Sequence, residues 1–410
     1  MKYKRPVPSV GEAGLLGSPD FLRLWAVGGI ANATRWLEVL AAALFTLDTT
    51  GSGLMVAVVS ASRSLPLIVM GAFAGVLSDA LDRKRILIGG MLLTATASGA
   101  VCALSLAGVL SPWHLLVAGL ASGLVYGTEM PVRRRMVGEA VTSPLVARAV
   151  ALDSLTGSAC RVAGPLLGGI AYQWIGVTAA FAITAALSLV AAGLAVGVRW
   201  NQPTRRLSLA GVMDELAEGA GLVRRTPALL ALLGVTVTMN LFGFAYTSLM
   251  APVGEQVFRV APGLVGVLAA AEPAGASFGG MLLAGWGAPR TDPVWLLLGG
   301  VAGFLAMMAL LPLASGFWVA CALLLAGGLG IALFSNFQVT IALNEAPFAV
   351  RSRVMGLITT AIGTWPLGML LAGWLADRVG ALLALCALGS AGLCVLVVIA
   401  TLYAQRGART

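Results

Sequence analysis

Residues 74–87 read AGVLSDALDRKRIL. Long apolar runs precede and follow this stretch, yet it gathers Asp79, Asp82, Arg83, Lys84 and Arg85 within seven positions. The whole chain explains why charge is confined to such knots. Of 410 residues, 59% are hydrophobic and 10% are charged, whereas a soluble domain is about a quarter charged. Too few polar side chains exist to cover so much apolar surface in water. The fitting solvent is lipid, in which a spanning helix needs about twenty mostly apolar residues.

Reading outward from the knot, apolar runs broken by polar or Gly/Pro punctuation predict twelve spans. The first six lie at 21–47, 53–78, 86–109, 113–136, 146–173 and 177–198. The second six lie at 228–253, 261–286, 293–315, 317–343, 350–376 and 379–403. Basic residues test this map, because loops on the cytoplasmic side are enriched in Lys and Arg. With the N-terminus in the cytoplasm, twenty-one of the 26 basic residues fall at cytoplasmic ends. Arg259 and Arg378 fall outside, and Arg35, Arg63 and Arg161 lie within spans. One missing span would invert everything after it, so the bias supports twelve spans with both termini cytoplasmic. The net charge of +9 therefore reads as topology rather than as affinity for nucleic acid. The basic start MKYKRPVPSV is not followed by a short apolar core and cleavage site, so no signal peptide is expected.

The longest connection divides the chain into a tail (1–20), a six-helix bundle (21–198), a cytoplasmic linker (199–227), a second bundle (228–403) and a tail (404–410). In the linker, Leu209, Val212, Met213, Leu216 and Val223 recur at helical spacing opposite Asp214, Glu215 and Glu218, predicting an amphipathic helix on the membrane surface. GGIAYQWIG (168–176) resembles AGWLADRVG (372–380) at a shift of 204. Two six-span halves related by a repeat, with a site between them, are a transporter architecture.

Catalytic and cofactor motifs are lacking. No GxxxxGK[ST] loop or HExxH occurs, and the GxSxG match at Gly275–Gly279 lies inside a predicted apolar span rather than on a strand-to-helix turn, so no enzyme, cofactor or metal site is expected. Cysteines 102, 160, 321, 386 and 394 fall inside spans and read as buried structural thiols. The single histidine, His114, sits at an outer helix end.

The opening stretch resembles the loop between helices two and three of the major facilitator superfamily, which usually reads G-x-L-(A/S)-D-R-x-G-R-(R/K). Two positions depart from it: Ala80 for the usual Arg and Asp82 for the usual Gly. The second departure is common in the enterobactin-exporter-like branch of transmembrane secretion transporters. DFLRLW (20–25), SRSLP (62–66), MPVRRRMV (130–137) and AVALDSLTGSACRVAGPLLGG (149–169) also resemble that branch. The resemblance implies an all-α integral membrane fold of twelve helices in two pseudo-symmetric six-helix bundles. It implies that Gly75, Asp79, Asp82, Arg83, Lys84 and Arg85 form a cytoplasmic gate, with Asp79 pairing to Arg133. A loop that only fixes topology is the simpler reading. Gly164, Pro165, Gly168 and Gly169 resemble the antiporter motif of drug exporters, although Ala151 and Cys160 replace its two earlier glycines. Proline deletes a backbone hydrogen bond and bends a helix, and glycines let a partner helix approach.

A charge at mid-bilayer costs about 2.5–3.5 kcal/mol on insertion scales, so it usually faces a cavity or a partner. Glu38, Glu272 and Glu129 are the candidate proton carriers. Arg35, Arg63, Arg161, Asn240, Asn336 and Gln338 are candidates for contact with substrate or a counter-ion. Arg35 and Glu38 lie three apart on one helix face and are expected to pair. The expectation is a monomeric secondary transporter of the bacterial inner membrane. It would export a small organic molecule, such as a siderophore or amphiphilic drug, against protons. An importer in the same fold, for example of a metal–siderophore complex, and a non-transporting receptor or assembly factor are the alternatives.

Overall fold

The computed structural model describes residues 15–66, 82–200, 221–285, 291–347 and 350–407. Its described residues are helical or connecting, with no strand among them. We number the helices α1 (Pro19–Thr50), α2 (from Gly53, described to Ser62), α3 (Arg83–Leu106), α4 (Pro112–Glu139), α5 (Val146–Ile175) and α6 (Val177–Val196). The second half comprises α7 (Pro227–Val257), α8 (Pro262–Gly285), α9 (Pro293–Leu313), α10 (Phe317–Glu345), α11 (Arg351–Ile362 and Trp365–Val379) and α12 (Ala381–Gly407). Ten of these are long and apolar enough to cross a membrane. The other two are α2, of which Gly53–Ser62 is described, and α5, whose apolar run is interrupted by Arg148, Asp153 and Arg161. Twelve crossings place both described ends on one face, here called the terminal face; the opposite one is the far face.

The helix ends follow local chemistry. Ser18 caps α1 by accepting from the Phe21 amide at 3.3 Å, ahead of Pro19. Asp82 caps α3 through the Lys84 and Arg85 amides at 2.9 and 3.3 Å. His114 belongs to the start of α4, where its Nδ1 accepts from the Ser111 amide at 3.1 Å. The repeat seen in the sequence has a structural counterpart. Gly176 and Gly380 follow α5 and α11 with φ of 81° and 87°, a region that glycine enters without a Cβ penalty.

Two of the expected spans are not continuous helices. α7 passes through a π segment (Met239–Gly243), a 3-10 segment (Phe244–Leu249) and a second π segment (Val253–Val257). α11 breaks at Gly363 and Thr364. The amphipathic linker helix lies almost wholly outside the described residues, as do Gly75 and Asp79 of the gate motif. The five cysteines are free thiols, but burial holds for Cys321 alone; Cys394 is exposed and the others are half-buried.

The halves meet through glycine-lined crossings related by the pseudo-symmetry. A Cβ on Gly169 of α5 would strike the Pro262 carbonyl of α8, and one on Gly266 of α8 would meet the Pro165 carbonyl. In the matching crossing, Gly373 of α11 faces Gly53 and Ala57 of α2. Small residues permit such approach, and dispersion then holds helices together where lipid supplies no hydrophobic drive. Leu40, Leu44 and Leu47 of α1 join Val56, Ala251 and Val265 in an apolar cluster that spans both halves.

Within the second half, α8 packs on α10 so closely that a Cβ on Gly275 would run into the Leu325 carbonyl, whereas Gly280 faces open space. Overpacking costs about 1–3 kcal/mol. Gly275→Leu is therefore expected to lower the thermal midpoint of the purified protein in detergent while Gly280→Leu leaves it unchanged. Equal midpoints for the two variants would contradict this packing.

Candidate functional site

One irregular helix and two helices with an internal proline converge between the halves. Pro273 lies inside α8 one residue after Glu272. The 3-10 stretch of α7 carries Tyr246, and its loosened backbone lets the Phe244 carbonyl accept from the Trp365 indole at 3.1 Å. α5 carries Arg161, four residues before Pro165. Glu272 is fully buried. Its Oε2 accepts from Arg161 Nη2 at 3.2 Å and from the Tyr246 hydroxyl at 2.6 Å. Arg161 is 34% exposed at its side chain and lies 5.6 Å from the Trp36 ring. The Glu272 Oε1 atom is buried without a hydrogen bond. Here is an ion pair between the two halves, with one carboxylate oxygen left open.

A second group occupies the first half. Glu38 on α1 and Arg63 at the end of the described part of α2 are both buried and pair at 3.2 Å; Ser98 of α3 donates to the other Glu38 oxygen at 2.5 Å. The expected Arg35–Glu38 pair does not form. Arg35 lies instead over the Tyr126 ring, 3.3 Å from its centroid. Arg63 reaches Glu38 across the bundle, and an interhelical pair locks two elements where an intrahelical one locks none. Arg35, Glu38, Arg63 and Tyr126, with Thr34, Ser122, Glu129 and Ser188, line a cavity of about 40 Å³. A larger groove of about 510 Å³ lies between α7 and α12; it is apolar and contains none of these charges.

Toward the terminal face, buried Arg133 bridges Glu129 of its own helix, at 2.5 Å, and Asp153 of α5. Its expected partner Asp79 lies outside the described residues, and these two carboxylates already engage it. Of the remaining motif residues, Arg83 is buried and pairs with Glu139 at 3.2 Å. Asp82 caps its helix, Lys84 is half-buried and Arg85 is exposed. Of the polar candidates of the second half, Asn240 and Gln338 meet at Thr236, away from the charged groups, and Asn336 does not join them. Buried Asn240 donates to its own helix at Thr236, Gln338 reaches the Thr236 hydroxyl at 3.0 Å, and Asn336 is exposed.

The Gly164, Pro165, Gly168 and Gly169 segment is the hub between α5 and its neighbours. Gly164 and Gly168 face Trp36 and Leu37 of α1, and Gly169 faces α8. Several inter-half contacts lie at the far face and had no motif to announce them. Asp377 of α11 accepts from the Gly53 amide at 2.5 Å and the Ser52 hydroxyl at 2.6 Å, where a carboxylate favours a helix N-terminus. Gln173 accepts from the Gly263 amide at 3.0 Å, and Gln256 donates to the Gly51 carbonyl at 3.1 Å. Together with Arg161–Glu272, these close the halves from mid-membrane to the far face. Asp153 was also missed, although a lone acid inside an apolar span is itself a signal.

Comparison with known proteins agrees with this architecture. Residues 15–407 match the family described as transmembrane secretion effector. Macrolide efflux protein A of Streptococcus pyogenes is 23% identical, over 88% of this chain and 90% of that protein. The multidrug efflux pump Tap of Mycolicibacterium fortuitum is 26% identical over 85% and 87%. Among solved structures, a bacterial homologue of the human lysosomal transporter Spinster, inward-facing and occupied, superposes with a TM-score of 0.72 at 15% identity, covering 97% of this chain and 98% of that one. That likeness confirms the fold of twelve helices in two six-helix bundles. Family, fold and the inter-half ion pair agree: this chain belongs to the transmembrane secretion effector family of major facilitator transporters, and is a transporter rather than an enzyme.

Proposed function

We propose that the protein exports a small organic molecule from the bacterial cytoplasm in exchange for protons, working as a monomer by alternating access. The observation that carries this reading is the buried Glu272, paired to Arg161 of the other half and retaining one open oxygen. The positive-inside bias supports a cytoplasmic terminal face; in this reading the contacts at Asp377, Gln173 and Gln256 act as the periplasmic gate. The efflux relatives support the direction: one is a macrolide efflux protein and another a multidrug efflux pump. A staphyloferrin A transporter of Staphylococcus aureus matches a third of the chain at 21% identity.

The proposed cycle follows from charge. The ion pair with Arg161 needs a charged carboxylate, so a proton on Glu272 and the ion pair exclude one another. When the halves part at the periplasmic side, Glu272 loses Arg161 and takes up a proton. When they close again, Arg161 returns, the proton leaves toward the cytoplasm, and substrate enters against an unprotonated site. Glu38 is the second carrier candidate, but Arg63 and Ser98 occupy both its oxygens, and Glu129 is held by Arg133. Glu272 is therefore the primary carrier in this account.

Two outcomes test the reading. In everted vesicles, a proton gradient should drive uptake of a macrolide or a siderophore by the wild type. Glu272→Gln should abolish gradient-driven uptake yet retain exchange of labelled for unlabelled substrate. Full gradient-driven uptake by that variant would overturn the assignment. Secondly, the Ser52 hydroxyl and Asp377 carboxylate are 2.6 Å apart. A disulfide between Ser52→Cys and Asp377→Cys should stop transport, and reductant should restore it. A cross-linked protein that transports at the wild-type rate would refute a gate at this contact.

A further inference from the structure

We propose that Arg35 binds the anionic head group of the exported molecule, so that the substrate class is an organic acid carrying a carboxylate. This deepens the export reading above and rests on it.

The case begins with a charge imbalance. Arg63 is paired with Glu38, Arg161 with Glu272, and Arg133 with Glu129 and Asp153. Arg134 also lies 3.7 Å from Asp153. Among the described residues, Arg35 has no carboxylate within ion-pairing distance, and its buried Nη1 has no hydrogen-bond partner. The acids that share its cavity are already engaged. Both Glu38 oxygens have partners in Arg63 and Ser98, and Glu129 accepts from Arg133. An embedded cation without an anion is costly in lipid, and intramembrane ionisable groups mark substrate pathways for that reason.

Geometry then says what would answer it. The cavity beside Arg35 holds about 40 Å³. A water needs about 10–15 Å³ on such a measure, so there is room for a carboxylate but not for a whole organic molecule. Ser122 and Ser188 line the same cavity and can donate to an anion. The apolar remainder has aromatic surface next to it. Tyr126 lies under the Arg35 guanidinium, and the Trp36 ring lies between Arg35 at 5.9 Å and Arg161 at 5.6 Å. Held on the Tyr126 ring and hydrogen-bonded to that side chain, the guanidinium keeps its buried Nη1 as the open donor for a carboxylate.

The test compares matched ligands by calorimetry on the purified, non-energised transporter: aryl-alkanoic acids such as phenylbutyrate, and their neutral amides. The wild type should bind at least one acid about tenfold or more tighter than its amide. Arg35→Gln should erase that preference. Arg35→Lys, which keeps the charge but not the fork, should retain part of it and guards against a Gln variant that fails to fold. Wild-type protein that binds no acid in preference to its amide would overturn the proposal, as would a folded Arg35→Gln protein with the preference intact. Because no gradient is applied, acid selectivity without proton-driven transport would sink the export reading and leave Arg35 as an anion site.

Discussion

Lipid cannot solvate an ion, so each charge inside this protein must be answered by a group of the protein or of what it binds. That constraint shapes the molecule more than any single contact. The buried pairs Glu38–Arg63 and Arg133–Asp153 lie within the first bundle and fix its helices to one another. Arg161–Glu272 joins the two bundles. A pair inside a bundle stabilises a rigid body, whereas a pair between bundles lasts only while the bundles stay in register. The same physics that demands pairing thereby makes one pair sensitive to conformation.

Backbone irregularity also marks this region. α7 leaves regular α geometry around Tyr246, and α8 carries Pro273 beside Glu272. In lipid such irregularity is tolerated where protein surrounds it, and here the loosened Phe244 carbonyl is met by Trp365. Glycine crossings complete the picture. Gly169 and Gly266 on one side, and Gly53 and Gly373 on the other, let two rigid bundles touch backbone to backbone. Contacts without long side chains to disengage suit surfaces that separate and re-form.

Much of this was legible in the chain. Hydropathy and the placement of Arg and Lys gave twelve spans and a two-half division, because a span's length is set by the bilayer and not by tertiary detail. The embedded residues Glu38, Arg63, Arg161 and Glu272 stood out because charge is rare in such segments. Their partners were not legible. Spacing on one helix favoured Arg35 with Glu38, yet the fold brought Arg63 across from α2 and left Arg35 on Tyr126. Pairings between helices depend on rotation about each axis, which sequence periodicity in an almost uniformly apolar span hardly encodes. Asp377 escaped notice for a related reason. At a helix end it reads as an ordinary surface acid until the start of α2 is placed against it.

In the proposed cycle, Arg161–Glu272 holds the far face closed and yields when the carboxyl is neutralised. Spin labels at Thr49 and Arg259, on opposite halves at that face, would measure it directly by pulsed dipolar spectroscopy in lipid nanodiscs. The account predicts a short inter-label distance in the wild type, and a shift of population to longer distances in Glu272→Gln and Arg161→Met alike. One unchanged distance distribution in all three proteins would contradict it.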